Sequence, residues 1–158
     1  MVAIRTLLSL PLALLLVGGS ALASEDETIL TLNQDGEHRD LTLSDIERHP
    51  LQRIQFQHPE GLEGEFSGVW LNDFLAAQGL DGADQLRFIA ADHYTTFLTP
   101  EERDEKAYLL VTRLEGDPIA LRQKGPLMLI VPADEQPVLA GTEPMTKWIW
   151  SITEIRAR

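Results

Sequence analysis

Cysteine is missing from all 158 residues of this sequence. Its absence excludes disulfides, thiolate metal ligands and a cysteine nucleophile. Cations are scarce as well. Lys and Arg number 13 against 25 Asp and Glu, a formal net charge of −12, and Lys106, Lys124 and Lys147 are the only lysines. Phosphate backbones and anionic membrane surfaces repel such a chain on average, so nucleic acid is excluded as a partner class. No internal repeat, low-complexity tract or Pro/Ser-rich linker divides the sequence, and it contains neither a Gly-x-Ser-x-Gly elbow nor a phosphate-cradling glycine loop.

What the sequence does have begins at its first residues. Arg5 is followed by Leu7 to Val17, apolar except for Ser9 and Pro11, and then by the small-residue stretch Gly18-Gly-Ser-Ala-Leu-Ala23. That order of charge, apolar core and Ala-x-Ala site predicts a secretory signal peptide over residues 1–23, cleaved after Ala23. An uncleaved transmembrane anchor would need about 20 apolar residues, more than this run supplies. The expected mature chain, residues 24–158, then lies in the periplasm or outside the cell and has no transmembrane segment. Arg5 is the one charge lost on cleavage, which leaves 12 Lys and Arg against 25 Asp and Glu, a net charge of −13. Its length suits a single domain, typically ~100–150 residues, held by packing alone.

Period-two and β-rich runs predict strands at Thr28 to Leu32 and Arg39 to Leu43, joined as a hairpin by Asp35-Gly36. Ser44 is expected to cap a short helix, Asp45 to His49, which Pro50 stops. The alternation from Leu51 to His58 predicts a half-buried strand, and the three glycines of Pro59 to Gly68 predict a loop. A helix is expected over Val69 to Gln78 with Gly79 as its stop. Further strands are expected at Leu86 to Ala91, Thr95 to Leu98, Tyr108 to Thr112, Ile119 to Leu121 and Leu127 to Val131, with a long last strand from Lys147 to Ile155. Thr99-Pro-Glu-Glu-Arg103 carries the cap, first-position proline and acidic first turn of a helix start. Many short strands interrupted by few short helices describe a mixed, β-rich α+β domain.

Four stretches carry a family resemblance: Gly68-Val-Trp-Leu-Asn-Asp-Phe-Leu75, Ala91-Asp-His-Tyr-Thr-Thr-Phe-Leu-Thr99, Gly125-Pro-Leu-Met-Leu-Ile-Val-Pro132 and Lys147-Trp-Ile-Trp-Ser-Ile-Thr-Glu-Ile155. In that order and spacing, over roughly Leu41 to Ile155, the chain resembles the molybdopterin-binding domain of the sulfite oxidase family. The resemblance implies a sulfite-oxidase-type fold. It also implies a molybdenum cofactor ligated by a cysteine thiolate in the strand and loop before the helix that begins near Gly68. Here that stretch is Ile54-Gln-Phe-Gln-His-Pro-Glu-Gly61, with no thiol. His58 is the nearest potential ligand, but one imidazole is a poor replacement for a charged thiolate, and a plain strand-end or loop role is the preferred reading. The family's phosphate and pterin contacts use cationic side chains, of which this chain has few. Molybdopterin is therefore expected by resemblance only, and no cofactor is expected from the residues themselves.

Asp92-His93-Tyr94 follows a predicted buried strand and offers a carboxylate, an imidazole and a phenol. It reads either as ligand contacts or as a turn in which Asp92 caps backbone amides. Tyr94 with Thr95 and Thr96 also matches the family's strand that faces the cofactor side. Trp148 and Trp150, two apart on the expected last strand, point the same way and read as core or as a pocket wall. Trp70 reads as core. Lys124 in Lys124-Gly-Pro126 reads as a turn lysine or as an ammonium set to meet an anionic ligand. Glu60, Glu63 and Glu65 with His38, His49, His58 and His93 show no metal-ligand spacing.

Two functions are consistent with these residues. The preferred one is an exported, non-catalytic sulfite-oxidase-fold domain that binds a small molecule or a membrane-bound signalling or redox partner, with a ligand site at Asp92, His93, Tyr94, Lys124 and Trp148. The alternative is a molybdopterin-dependent oxidoreductase with non-cysteine metal ligation.

Overall fold

The computed structural model describes residues 27–158. The signal segment expected over residues 1–23, with its cleavage after Ala23, lies outside the described residues. Ten strands and four short helices follow one another as β1 (Thr28–Gln34), β2 (Glu37–Thr42), α1 (Leu43–Ile46), β3 (Gln52–His58), β4 (Leu62–Trp70), α2 (Leu71–Gln78), β5 (Leu86–Ala90), β6 (Thr95–Leu98), α3 (Pro100–Glu105), β7 (Leu109–Leu114), β8 (Asp117–Pro118), β9 (Met128–Ile130), α4 (Glu135–Leu139) and β10 (Ile152–Ala157). The mixed, β-rich α+β class expected from the sequence is the architecture found.

The strands form two sheets. One has the order β2-β1-β10-β5-β6, antiparallel except for the parallel pair β1 and β10. The other has the order β3-β4-β7-β8, with β9 also on β7. Period-two alternation turns one side of each sheet inward, and both sheets feed a single core. Leu30 and Leu32 of β1, Phe88 of β5 and Ile155 of β10 meet Phe66 of β4, Phe74 of α2 and Leu110 of β7 within it. Each of these side chains is fully buried, and each contributes on the order of 1.5–3 kcal/mol by leaving water.

Local chemistry explains the helix ends. Thr42, not Ser44, caps α1, because a Thr42-x-x-Asp45 capping box forms: the Asp45 N–H donates to Thr42 Oγ1 at 3.2 Å and the Thr42 N–H donates to Asp45 Oδ2 at 3.0 Å. The same box closes between Thr99 and Glu102 at α3. At the end of α2, Gly79 adopts φ 71°. The N–H of Leu80 reaches the Leu75 carbonyl at 2.8 Å and that of Gly79 reaches Ala76 at 3.1 Å, a Schellman stop.

Three expectations are corrected. The glycine-rich stretch Pro59 to Gly68 is not a loop; most of it is β4. Two of its three glycines serve close approach instead. A Cβ on Gly68 would stand 2.2 Å from the Leu110 carbonyl oxygen of the neighbouring strand, and one on Gly64 would stand 2.0 Å from Glu115 Oε1. The long strand expected at Lys147 to Ile155 is broken at Ser151, whose φ is 55°. Before the break, Ile149 bridges to Leu129 beside the second sheet; after it, β10 joins the first. The chain thus crosses between sheets here, which single-strand periodicity does not reveal. Ile119 to Leu121 is no strand of its own: β8 ends at Pro118, and Leu121–Gln123 is a 3-10 turn.

Candidate functional site

The crossing segment and the β5–β6 turn build a cleft. In the turn, the His93 N–H and the Ala90 carbonyl close at 2.9 Å, as do the Ala90 N–H and the Tyr94 carbonyl. Asp92 Oδ1 accepts the Tyr94 N–H at 3.0 Å, which is the turn-capping role open to it from the sequence. His93 takes φ 69° to complete the reversal. The turn is held up against the crossing segment where the Ala91 N–H donates to the Ser151 carbonyl at 2.8 Å.

Between them lies an open cavity of about 380 Å³ lined by Ala90, Asp92, Tyr94, Met145, Thr146, Trp148, Ile149 and Trp150. Its walls are mostly apolar, and Asp92 is the one charged residue among them. Of the five residues expected at a ligand site, three come together here: Asp92, Tyr94 and Trp148. The other two do not line the cavity. His93 is an exposed turn residue held by its backbone. Lys124 caps the 3-10 turn Leu121–Gln123 at φ 70° and meets the cleft only through Trp150, its Nζ 4.8 Å from the ring centre. Sequence reasoning did not place Met145, Thr146 and Ile149 in the site. Trp150 had a signal in its spacing from Trp148; the others had none, because they arrive by the crossing of the chain between sheets.

Behind the cleft, β3 ends in a buried histidine. His58 is 2% exposed, and its ring centre lies 5.7 Å from that of Trp148 and 5.5 Å from that of Trp150, edge-on to the latter. The two tryptophans therefore do face one group, as their spacing suggested, though from the crossing segment and not from a strand. Phe56 completes the stack, 5.6 Å from Trp148. His58 Nδ1 accepts the Glu60 N–H at 3.1 Å, so the ring is a neutral acceptor there. Burial, and after it the Lys124 ammonium, push the imidazole down to about 4, with Glu60 opposing both. Lys124 Nζ stands 3.4 Å from Glu60 Oε2.

A second, polar cavity adjoins across Thr146 and Trp148. Glu102, Glu105, Asp134 and Glu143 line it together with Lys106 and Lys147. Both ammoniums are already engaged, Lys106 with Asp134 at 2.6 Å and Lys147 with Glu102 at 2.8 Å.

These cavities test whether a molybdenum cofactor fits. The aromatic cleft presents a carboxylate and no cation to the phosphate such a cofactor carries, and the polar cavity is net acidic. No thiol exists in the chain. His58 belongs to no metal-binding cluster, since no three His, Cys, Asp or Glu side chains among the described residues are grouped to hold a metal ion. The donor set of neither cavity fits the group.

Comparison with known proteins places the chain. The sequence pattern of a family described as "oxidoreductase molybdopterin binding domain" matches residues 21–157. Among solved structures, the fold is similar to that of the sulfane dehydrogenase SoxCD from Paracoccus pantotrophus, with a TM-score of 0.59 at 17% identity, over 86% of this chain and 39% of that one. At that identity the likeness is one of fold, and this chain spans well under half of its length. No curated protein matches the sequence.

Proposed function

The chain belongs to the oxidoreductase molybdopterin binding domain family, and on that premise we propose that it works as an exported, non-catalytic binding module built on the sulfite-oxidase-type fold. One observation carries the reading: the preformed, mostly apolar cleft of about 380 Å³ between the β5–β6 turn and the crossing segment. Its size is that of a small-molecule site, and such sites combine apolar walls with a few placed polar groups. Here the walls are Tyr94, Trp148, Trp150, Met145 and Ile149, and the placed groups are Asp92 and Thr146. An organic molecule with an apolar body and a cationic or hydrogen-bond-donating end matches that lining.

The molybdenum chemistry of the family's enzymes needs ligands and counter-charges that this chain does not bring to one place. A retained fold does not by itself retain an activity. Export rests on the N-terminal pattern of Arg5, the Leu7 to Val17 apolar run and Ala23.

A ligand-observed NMR screen of small aromatic amines and their neutral isosteres tests the reading. Binders should favour the amine, and both Tyr94→Ala and Asp92→Asn should weaken them by about tenfold while leaving the melting temperature unchanged. Binders indifferent to both substitutions would remove the cleft from consideration.

A further inference from the structure

The outer face of the first sheet carries a concentration of positive charge that the cleft does not use. Arg87 of β5 and Arg156 of β10 are directly opposed partners in the antiparallel ladder. Arg158 lies two residues beyond Arg156 and Gln85 two before Arg87, so period two brings all four to one side. Backbone hydrogen bonds of 3.1 and 3.0 Å tie Gln85 to Arg158. On its other flank Arg87 pairs with Phe97 of β6, its guanidinium 5.5 Å from the ring centre. Gln85, Arg87, Phe97, Arg156 and Arg158 line one pocket of about 290 Å³.

Like charges set directly opposite one another in a ladder destabilise it. In a chain with 13 cationic side chains against 25 anionic ones, acidic side chains are plentiful, yet one reaches this pocket. Glu154 holds Arg156, with 2.5 Å from Nε to Oε1 and 3.2 Å from Nη2 to Oε2. Among the described residues no carboxylate pairs with Arg87 or Arg158, and the buried Arg87 Nε has no hydrogen-bond partner. Guanidinium groups offer planar forks of donors that match tetrahedral oxyanions.

We propose that Arg87, Arg156 and Arg158 form an oxyanion site for a phosphate group, free or as a monoester, with Phe97 as the apolar wall beside it. The site lies at the end of β5 away from the β5–β6 turn and is separate from the aromatic cleft. Its ligand is opposite in charge to the one that Asp92 favours, so either proposal can fail without the other.

The experiment is thermal unfolding of the protein in chloride buffer at fixed ionic strength, with inorganic phosphate or phenyl phosphate added to about 20 mM. Binding to the native state alone raises the melting temperature, here by about 3 °C or more. A response to both anions identifies a site for the phosphate group itself, and a response to phenyl phosphate alone identifies a monoester site using Phe97. Arg156→Gln and Arg158→Gln, both at exposed positions, should abolish the response. Arg87→Gln should match or exceed the wild type in chloride, because it removes the opposed charge, and should gain nothing from phosphate. The proposal is overturned if neither anion acts beyond added chloride. It is equally overturned if the Arg156 and Arg158 variants respond as the wild type does, since general salting-out would then account for the effect.

Discussion

Acidification from pH 7 to pH 5 should weaken this domain through one side chain, His58. In the folded chain its imidazole titrates at about 4, against 6.5 for an unburied histidine. The unfolded state therefore binds more protons between those values, and stability rises with pH across that window. The contribution is complete above pH 6.5 and is lost as pH falls toward 4. A gap of that size amounts to about 2 kcal/mol lost between pH 7 and pH 5 and about 3 kcal/mol by pH 4, at ~1.4 kcal/mol per unit. The groups that face the ring are Lys124 and Glu60. The lowered carboxylates Asp45, Glu101 and Glu102 act at more acid pH, because their ordinary values are 3.8 for Asp and 4.5 for Glu. Urea denaturation at half-unit steps from pH 7.5 to 4.5 would measure the slope for the wild type and for His58→Gln, which keeps an acceptor for the Glu60 N–H and cannot titrate. The wild type should lose about 2 kcal/mol more than the variant between pH 7 and pH 5. Parallel slopes for the two proteins would refute the claim that His58 is held neutral by burial between the tryptophans.

Three further outcomes follow from the packing. Tyr94 is 55% exposed and Trp148 is 3% exposed, so Tyr94→Ala should leave unfolding free energy within about 0.5 kcal/mol while Trp148→Ala costs about 3–5 kcal/mol; equal effects in a urea titration would contradict the burial. Gly68→Ala forces a Cβ to 2.2 Å from the Leu110 carbonyl oxygen and should lower the urea midpoint by the equivalent of about 2 kcal/mol or more. Glu47 accepts from Thr112 Oγ1 at 2.7 Å and from Arg113 Nε and Nη2 at 2.8 Å each, so Glu47→Gln should cost about 1–3 kcal/mol by the same assay.

Much of the fold was legible because the relevant signals are local. The hairpin of β1 and β2 shows in Asp35-Gly36, the α2 stop in Gly79 and the α3 start in Thr99-Pro100, and each of these acts through its own backbone. The misreadings came where a residue answers to a distant neighbour. Gly64 and Gly68 look like loop residues until Glu115 and Leu110 are placed against them. Ser151 carries no sequence sign of its left-handed kink, yet that kink moves the chain from one sheet to the other and sets the position of both tryptophans. The candidate site divides along the same line. Asp92, Tyr94 and Trp148 could be named from their types and their place beside predicted strands. Met145, Thr146 and Ile149 joined them only through tertiary structure, and Lys124 was drawn away toward Glu60 and the Trp150 ring.

The central claim is that this member of a molybdopterin-binding family works as a binding module without the metal. Native mass spectrometry coupled to elemental analysis, on protein purified from its own host, tests that claim directly. The account predicts a chain bearing a small organic molecule that Tyr94→Ala releases, with no stoichiometric molybdenum or tungsten. A bound pterin with one metal atom per chain would contradict it.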